Sequence, residues 1–322
     1  MGHIMIQVKY AIVIVTYNRE ALLQECIRQV NCQTVQASSI VIVNNASTDG
    51  TKAYLDELEN QEESYDIINL PQNIGGAGGF AKGIECAAEK DVECVLIIDD
   101  DAMIAKDYME IILQARQAHP KYRAFAGVVK VNDRIDTFHR RSVSKAGLLF
   151  KNCGEEKYRS PYFECEIASF CGMVLDTEII RQIGLPHSGY FIWHDDAEYS
   201  LRVGKYSRFL VVTGAVLEHK TKVNNTVYPR RYDWKEYYAV RNRILLVREH
   251  GTIPDRVLNA VHLFIHVIFR NWLFGLVKKG HYDWKYENYI VKKAIKAANS
   301  RDLRIGEANG IAEDIVSKSR EV

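Results

Sequence analysis

Four apolar, β-branched runs constrain the architecture more than any other feature of the chain. They are "YAIVIVT" (10–16), "SIVIVN" (39–44), "YDIINL" (65–70) and "CVLIID" (94–99). A strand apolar at successive residues is buried on both faces, whereas a half-exposed strand alternates. Between these runs, residues 19–31, 52–62 and 78–90 read as helices. Strands alternating with helices in this way predict a right-handed, mostly parallel α/β sheet. Ligands of such sheets bind beyond the carboxyl ends of the strands. The polar segments 16–19, 44–49, 73–79 and 99–101 all fall on that rim.

The most telling of these segments is Asp99-Asp100-Asp101, where a buried strand stops. In extended chain, alternate side chains share a side, so Asp99 and Asp101 point together and Asp100 away. Two carboxylates on one side make a cation site. Oxygen ligands suit magnesium, manganese or calcium, and two Asp residues without Cys suit zinc poorly. A solvated acidic loop is the bland alternative, but three adjacent carboxylates repel one another and call for a counter-charge.

"NIGGAGGF" (73–80) has two readings. Gly76-Ala77-Gly78-Gly79-Phe80-Ala81 fits the G-x-G-x-x-G/A dinucleotide fingerprint after a strand, which keeps a nicotinamide-dependent oxidoreductase open. Against it, this is the third βα unit, and one ribose-binding acid does not explain three. The glycines can equally bring backbone N–H groups close to a diphosphate or form a tight turn. In "FIWHDDAEYSLR" (191–202), Asp195 and Asp196 stand beside Phe191, Trp193 and Tyr199. An apolar setting raises carboxylate basicity, which makes these acids candidates for a general base. The bland reading is a helix N-terminus with Glu198 and Arg202 paired at i,i+4. His219, after "FLVVTGAVLE", is a lone histidine at another strand end.

The 322 residues are 47% hydrophobic, enough for a substantial core. Forty-two Lys and Arg against 41 Asp and Glu leave a net charge of +1, so no global field recruits nucleic acid. Seven cysteines without a C-x-x-C pair predict a reduced, cytoplasmic chain with neither disulfides nor zinc. The first strand lies so near the start that no signal peptide is expected. Beyond about 120, "AFAGVVKV", "ASFCGMVLD" and "RFLVVTGAVLEH" read as short strands continuing the same sheet. The chain thus divides into an α/β region, 5–250, in two parts, 5–118 and 119–250, and a helical region, 251–322.

In that last region Leu258, Val261, Ile265, Ile268, Trp272 and Leu276 recur at helical spacing opposite Asn259, His262, His266 and Arg270. Two histidines and an internal Arg-Asn pair make a membrane span costly. An amphipathic helix lying on the inner face of the plasma membrane through residues 256–280 is the better solution, with Lys278, Lys279 and the basic stretch 220–248 meeting anionic headgroups. Packing on the α/β region or a homo-oligomer interface is the alternative.

Taken in order, "IVTYNRE", "VNNASTDGT", "DDDAM" and "HDDAEYSLR" resemble the inverting nucleotide-sugar glycosyltransferases of glycosyltransferase family two, which have the GT-A fold. "NIGGAGGF", "EYYAVRNRI" and the triple Asp are similar to the bacterial galactofuranosyltransferases and their rhamnosyltransferase relatives. The resemblance covers about residues 10–250 and implies that 5–250 is the catalytic region, with a nucleotide half (5–118) and an acceptor half (119–250). It implies a Rossmann-like nucleotide-binding sheet and a divalent metal, Mn2+ or Mg2+, held by Asp99, Asp101 and His219. It implies a UDP- or dTDP-linked donor contacted by Thr16, Asn18, Arg19, Asn45, Asp49, Asn73, Gly76, Gly78 and Asp100. Asn44 and Asn45 stand where an acid is commoner in the family, leaving Asp49 for base recognition. Asp196, or its neighbour Asp195, would be the base. Trp193 and His194 would meet a lipid-linked or polysaccharide acceptor.

Overall fold

The computed structural model describes residues 8–61, 64–221, 234–269 and 284–300, together with 273 and 303. The expected parallel core is present. β1 (Tyr10–Thr16), β2 (Ser39–Asn44), β3 (Tyr65–Asn69) and β4 (Cys94–Asp99) lie in the order β4-β1-β2-β3, every pair parallel. They are joined through α1 (Glu20–Asn31), α2 (Thr51–Gln61) and α3 (Gly75–Glu89). The unbroken apolar run of β1 has a direct cause. Tyr10, Ile12 and Ile14 join the cluster that holds Leu23, Cys26 and Ile27 of α1, while Ala11, Val13 and Val15 join the one that holds Phe80 and Ile84 of α3. Both faces of the strand are core.

The second half extends the same sheet. It comprises β5 (Ala102–Ile104), α4 (Tyr108–Ala118), β6 (Ala124–Val131), β7 (Arg134–Ile135), β8 (Arg140–Val143), β9 (Phe150–Asn152), β10 (Tyr162–Cys165) and β11 (Ile167–Ala168). β12 (Met173–Asp176), α5 (Thr177–Ile183), α6 (Asp195–Val203) and β13 (Phe209–His219) follow. β12 runs antiparallel to β4 and to β6, β13 pairs parallel with β6, and the long order is β10-β13-β6-β12-β4-β1-β2-β3. β11, β8 and β9 form a separate small sheet. The order reverses between β1 and β4, so their carboxyl ends, Thr16 and Asp99, border the crevice where open α/β sheets bind ligands.

One boundary differs from expectation. α3 begins at Gly75 rather than near 78, so the glycines of "NIGGAGGF" occupy its first turns. Close packing accounts for two glycines of this helix: a Cβ on Gly79 would stand 2.6 Å from Val15 Cγ1, and one on Gly83 would stand 2.4 Å from Val13 Cγ1. A Cβ on Gly76 would meet nothing within 4 Å.

By contacts the chain forms two compact units. The first, Met1–Ser142, Phe150–His187 and Asp196–Val223, contains the large sheet. The second, Val143–Leu149, Ser188–Asp195 and Asn224–Val322, contains α7 (Trp234–His250), α8 (Ile253–Leu263) and α9 (Trp284–Ser300). Its core joins Phe191, Tyr237, Tyr238, Ile290, Val291 and Ala294. α8 opens with a capping box between Thr252 and Asp255, which satisfies its first free N–H groups. Its single polar core residue, Asn259, accepts a 3.0 Å hydrogen bond from Arg243 Nε, while Ile253, Val257, Leu258, Val261, Phe264 and Ile265 are exposed. Trp272 and Leu276 of the expected stripe, with Arg270, Lys278 and Lys279, lie outside the described residues. Among the described residues no helix is long and apolar enough to cross a membrane.

Candidate active site

The three carboxylates that follow β4 are distributed over different partners. Asp100 accepts from Thr16 Oγ1 at 2.7 Å and from Arg19 at 3.1 Å, and Asp101 Oδ2 accepts from Arg19 at 2.5 Å. Arg19, nominated as a donor contact, thus serves here as the permanent counter-charge of Asp100 and Asp101. Asp99 shares a cluster with His219 and Cys171 in which one ligand atom from each lies within 4.8 Å of the others. The fold builds this cluster from three neighbouring segments. β4 carries Asp99, β13 pairs with β5 so that His219 faces Ala102, and Gly172 N–H donates to the Ile97 carbonyl beside β4 at 3.1 Å.

The electrostatics follow from crowding. Desolvation, and then the charge of Asp101, push the Asp99 carboxyl up to about 7. Desolvation pushes Asp100 up to about 6, against the pull of Arg19 and Thr16. Burial opposes the charges of Asp101 and His219 as well, but these two stabilise each other across 3.0 Å, so Asp101 is held below its ordinary range and His219 above. Burial and Asp99 drive the Cys171 thiol well above its usual value. One buried atom of this cluster, His219 Nδ1, has no hydrogen-bond partner, whereas Asp101 Oδ1 faces His219 Nε2 at 3.0 Å. Buried polar atoms ordinarily find one. Excess negative charge and an unpaired, buried imidazole nitrogen fit a divalent cation, with Asp99, Asp101 and His219 as the residues that would hold it.

The remaining rim candidates are engaged in shaping loops. Asn18, at φ 53°, accepts from Thr48 N–H at 2.7 Å and receives Ser47 Oγ at its own N–H, tying the β1 loop to the β2 loop. Asp49 accepts from the N–H groups of Glu20 and Thr51 at the starts of α1 and α2. Asn45 brackets the α3 entry: its Oδ1 accepts from Ile74 N–H and its Nδ2 donates to Gly75 O. Asn73 Oδ1 accepts from Gly75 N–H at 2.8 Å. Gly78 leaves room for Ile74, whose side chain a Cβ there would meet at 2.7 Å. A Cβ at Gly76, unlike one at Gly78 or Gly79, would have free space before it.

Asp196 lies in the first turn of α6, where Oδ1 accepts from Ala197 N–H at 2.6 Å. Its Oδ2 stands 3.4 Å from Arg141 Nη2. Arg141 is nine-tenths buried at its side chain, lies over the rings of Phe138 and Phe150, and keeps a buried Nε without a hydrogen-bond partner. Sequence reasoning missed Arg141, because nothing in "FHRRSV" marks which arginine will meet an acid fifty-five positions later. The expected Glu198–Arg202 pair forms, at 2.8 Å, with Glu198 fully buried.

Trp193, His194 and Asp195 belong to the second unit. Phe191, Trp193 and His194 have left-handed backbone, φ 64°, 66° and 66°. Such residues cost about 1 kcal/mol or more each and persist only where the surroundings impose them. "EYYAVRNRI" supplies the restraint. Asn242 Nδ2 donates to the carbonyls of Tyr190, Ile192 and Trp193, and Arg241 Nη2 to those of Gly189 and Tyr190. Arg243 donates to Gly147 and Leu148. Three adjacent side chains therefore fix two loops of this unit.

Residues 11–184 match the family described as Glycosyl transferase family 2. The chain is 25% identical over 285 residues to galactofuranosyltransferase GlfT2 of Mycolicibacterium smegmatis, covering 79% of this chain and 43% of that protein. It is 28% identical over 262 residues to an uncharacterized glycosyltransferase of Haemophilus influenzae, covering 79% and 78%. Among solved structures, GalNAc-T7 with UDP, GalNAc and Mn2+ superposes at TM-score 0.60, 15% identity, over 75% of this chain and 48% of that one. Staphylococcus aureus TarS 1-349 in complex with UDP-GlcNAc superposes at 0.56, 16% identity, over 95% and 89%. These likenesses establish the GT-A fold. The chain spans less than half the length of GlfT2.

Proposed function

The chain belongs to glycosyltransferase family 2, and from that premise we propose that it moves a sugar from a nucleoside-diphosphate donor to an acceptor hydroxyl with inversion at the anomeric carbon. The observation that carries this reading is the gathering at the β1–β4 crevice of Asp99 near His219, Asp101 at 3.0 Å from His219 Nε2, and a buried His219 Nδ1 without a partner. A divalent ion there, Mn2+ or Mg2+, would supply neutralisation of the charge that develops on the leaving diphosphate. Thr16 and Arg19 hold Asp100 and Asp101 in place for it. Asn18, Asn45, Asp49 and Asn73 shape the loops against which the nucleoside and phosphates rest, and Gly76 leaves its backbone open to them. Asp196 takes the proton from the acceptor hydroxyl as it attacks, with Asp195 as the competing candidate. Trp193 and His194 are acceptor contacts. The catalytic residues come from 5–250, to which 251–322 adds a helical region.

Similarity to GlfT2 makes UDP-galactofuranose the favoured donor and a lipid-linked or polysaccharide acceptor of the cell surface the favoured product, with dTDP-rhamnose as the competing donor. A thermal-shift panel of UDP, dTDP, GDP and NAD, each with and without Mn2+, tests this. Stabilisation by UDP that needs Mn2+ is expected; stabilisation by NAD alone would replace the reading with an oxidoreductase. The outward apolar face of α8 supports a peripheral contact with the inner leaflet of the plasma membrane through 256–280. Sedimentation with anionic liposomes should fall when Val257, Leu258 and Val261 are replaced by Asp. Unchanged sedimentation, or a loss of dimer instead, would assign the face to another surface.

A further inference from the structure

The donor set around the cation site is not confined to oxygen and imidazole. We propose that Cys171 is a thiol ligand of this site, so that Asp99, Cys171 and His219 together take a thiophilic divalent ion, Zn2+ or Cd2+, in competition with Mn2+ or Mg2+. The inference rests on the reading above that Asp99 and His219 hold a cation.

Three observations support it. First, the carboxylate, thiol and imidazole donors all lie within 4.8 Å of one another. Ligands about 2.0 to 2.3 Å from a tetrahedral zinc stand within about 4 Å of each other, so small side-chain rotations close the set. Second, the backbone at Cys171 is fixed on both sides. Its carbonyl accepts from the buried Arg140 Nη2 at 2.9 Å, and the next residue, Gly172 at φ 82°, donates its N–H to Ile97 O. A Cβ at Gly172 would stand 2.5 Å from Leu217 Cδ2 and 2.6 Å from Tyr108 Oη, so glycine is the residue that fits this turn. The sulfur is therefore held in the cluster by backbone geometry. Third, His219 Nδ1 is buried beside it without a hydrogen-bond partner.

The chemistry of the set selects the ion. Carboxylate, imidazole and thiolate form a borderline-soft shell typical of zinc, whereas magnesium and manganese favour oxygen. Binding replaces the S–H bond by a sulfur–metal bond, the proton leaves to solvent, and no electrons change hands. Mn2+ or Mg2+ uses Asp99, Asp101 and His219 and leaves the thiol protonated.

The full chain, stripped of metal, is titrated with Cd2+ while the ultraviolet thiolate-to-cadmium absorption is followed, in parallel with Cys171→Ser. The exposed Cys32 and the half-buried Cys86 contribute equally to both. The expected result is a band absent from the variant, with Cd2+ affinity weakened by at least about tenfold, the scale lost when even a supporting partner of a ligand is removed. An equal band and equal affinity in both proteins would overturn the proposal. UDP binding with Mn2+, measured on the same samples, should survive in Cys171→Ser. Its absence from the wild type would sink the transferase reading and leave the cadmium result to stand by itself. Should the variant fail to fold, cadmium NMR of the wild type decides: a resonance in the sulfur-ligated range supports the thiol, and one in the oxygen–nitrogen range removes it.

Discussion

The acids that follow β4 share one pocket of mutual repulsion, whereas Asp196 in the first turn of α6 faces a single arginine. In the first region Asp99, Asp100 and Asp101 meet one permanent cation, Arg19, and two of them are pushed up toward neutrality. In the second, Asp196 is steadied by Ala197 N–H and by Arg141 at 3.4 Å. A pocket with surplus negative charge is completed by an added cation. A carboxylate already partnered by a guanidinium and a helix N-terminus needs no added cation and is held in one position, as a positioned base must be. On the proposed function the same residue type would serve as ligand in one place and base in the other, and removing each should fail in a different way.

The largest effect is expected at the crowded pocket. Asp101→Ala deletes the residue that bridges Arg19 and His219 and should abolish both turnover and Mn2+-dependent UDP binding. Turnover that persists with a chelator present would break the comparison outright, by showing that the pocket needs no cation. Next in size, Asp196→Asn should leave UDP binding nearly intact and lower the transfer rate by roughly 10²- to 10⁴-fold, the usual loss for a positioned base. If Asp195→Asn is the more damaging change, the two neighbours exchange roles.

Arg141→Met sharpens the contrast further, because it touches only the second region. A hydrogen bond to a charged group is worth about 1.5 to 3 kcal/mol, and the 3.4 Å separation places this one at the low end, so the rate should fall about tenfold. Donor affinity should not change, and added guanidinium should restore part of the lost rate. A fall in UDP affinity instead would move Arg141 from the base to the donor. In that case its unpaired Nε is the atom to suspect.

Much of this was legible beforehand. The buried strands, the rim on which their ends gather, and the acids at 99–101 and 195–196 follow from periodicity and from the place of charge next to apolar runs. Other features were not legible, for a common reason. Arg141 meets Asp196 across a separation of 55, and Cys171 joins Asp99 through the antiparallel pairing of β12 with β4. Neither contact leaves a spacing pattern, since each depends on how elements far apart in the sequence are brought together. The cysteine matters most. The sequence argued against a soft metal because no Cys stood near the aspartates, and the fold brings one there. "NIGGAGGF" misleads in the opposite direction. It matches a phosphate-binding fingerprint, yet Gly79 is explained by the approach of α3 to β1, and of the glycines at 76, 78 and 79 only Gly76 leaves open space.

The smallest expected effect is a matter of pH, and it separates the two regions without any substitution. Asp99 and Asp100 have carboxyls raised to about 7 and about 6 in the folded chain. A raised carboxyl favours the folded state while protonated, so this contribution is complete below the ordinary carboxylate range and is lost as pH climbs through about 6 to 7. The metal-free melting temperature should therefore decline over that window. Cation binding runs the other way, since Asp99 must lose its proton first and His219, held above its ordinary range by Asp101 and Asp99, must lose one as well. Below about pH 7 the Mn2+ affinity should weaken by roughly tenfold for each unit of acidification per proton displaced. The gap between melting curves with and without Mn2+ should open as pH rises, and Asp196→Asn should leave that opening unchanged. A Mn2+ affinity that is flat from about pH 5.5 to 8 would mean that the β4 acids are not the cation's ligands. The two acid clusters would then differ in exposure but not in task.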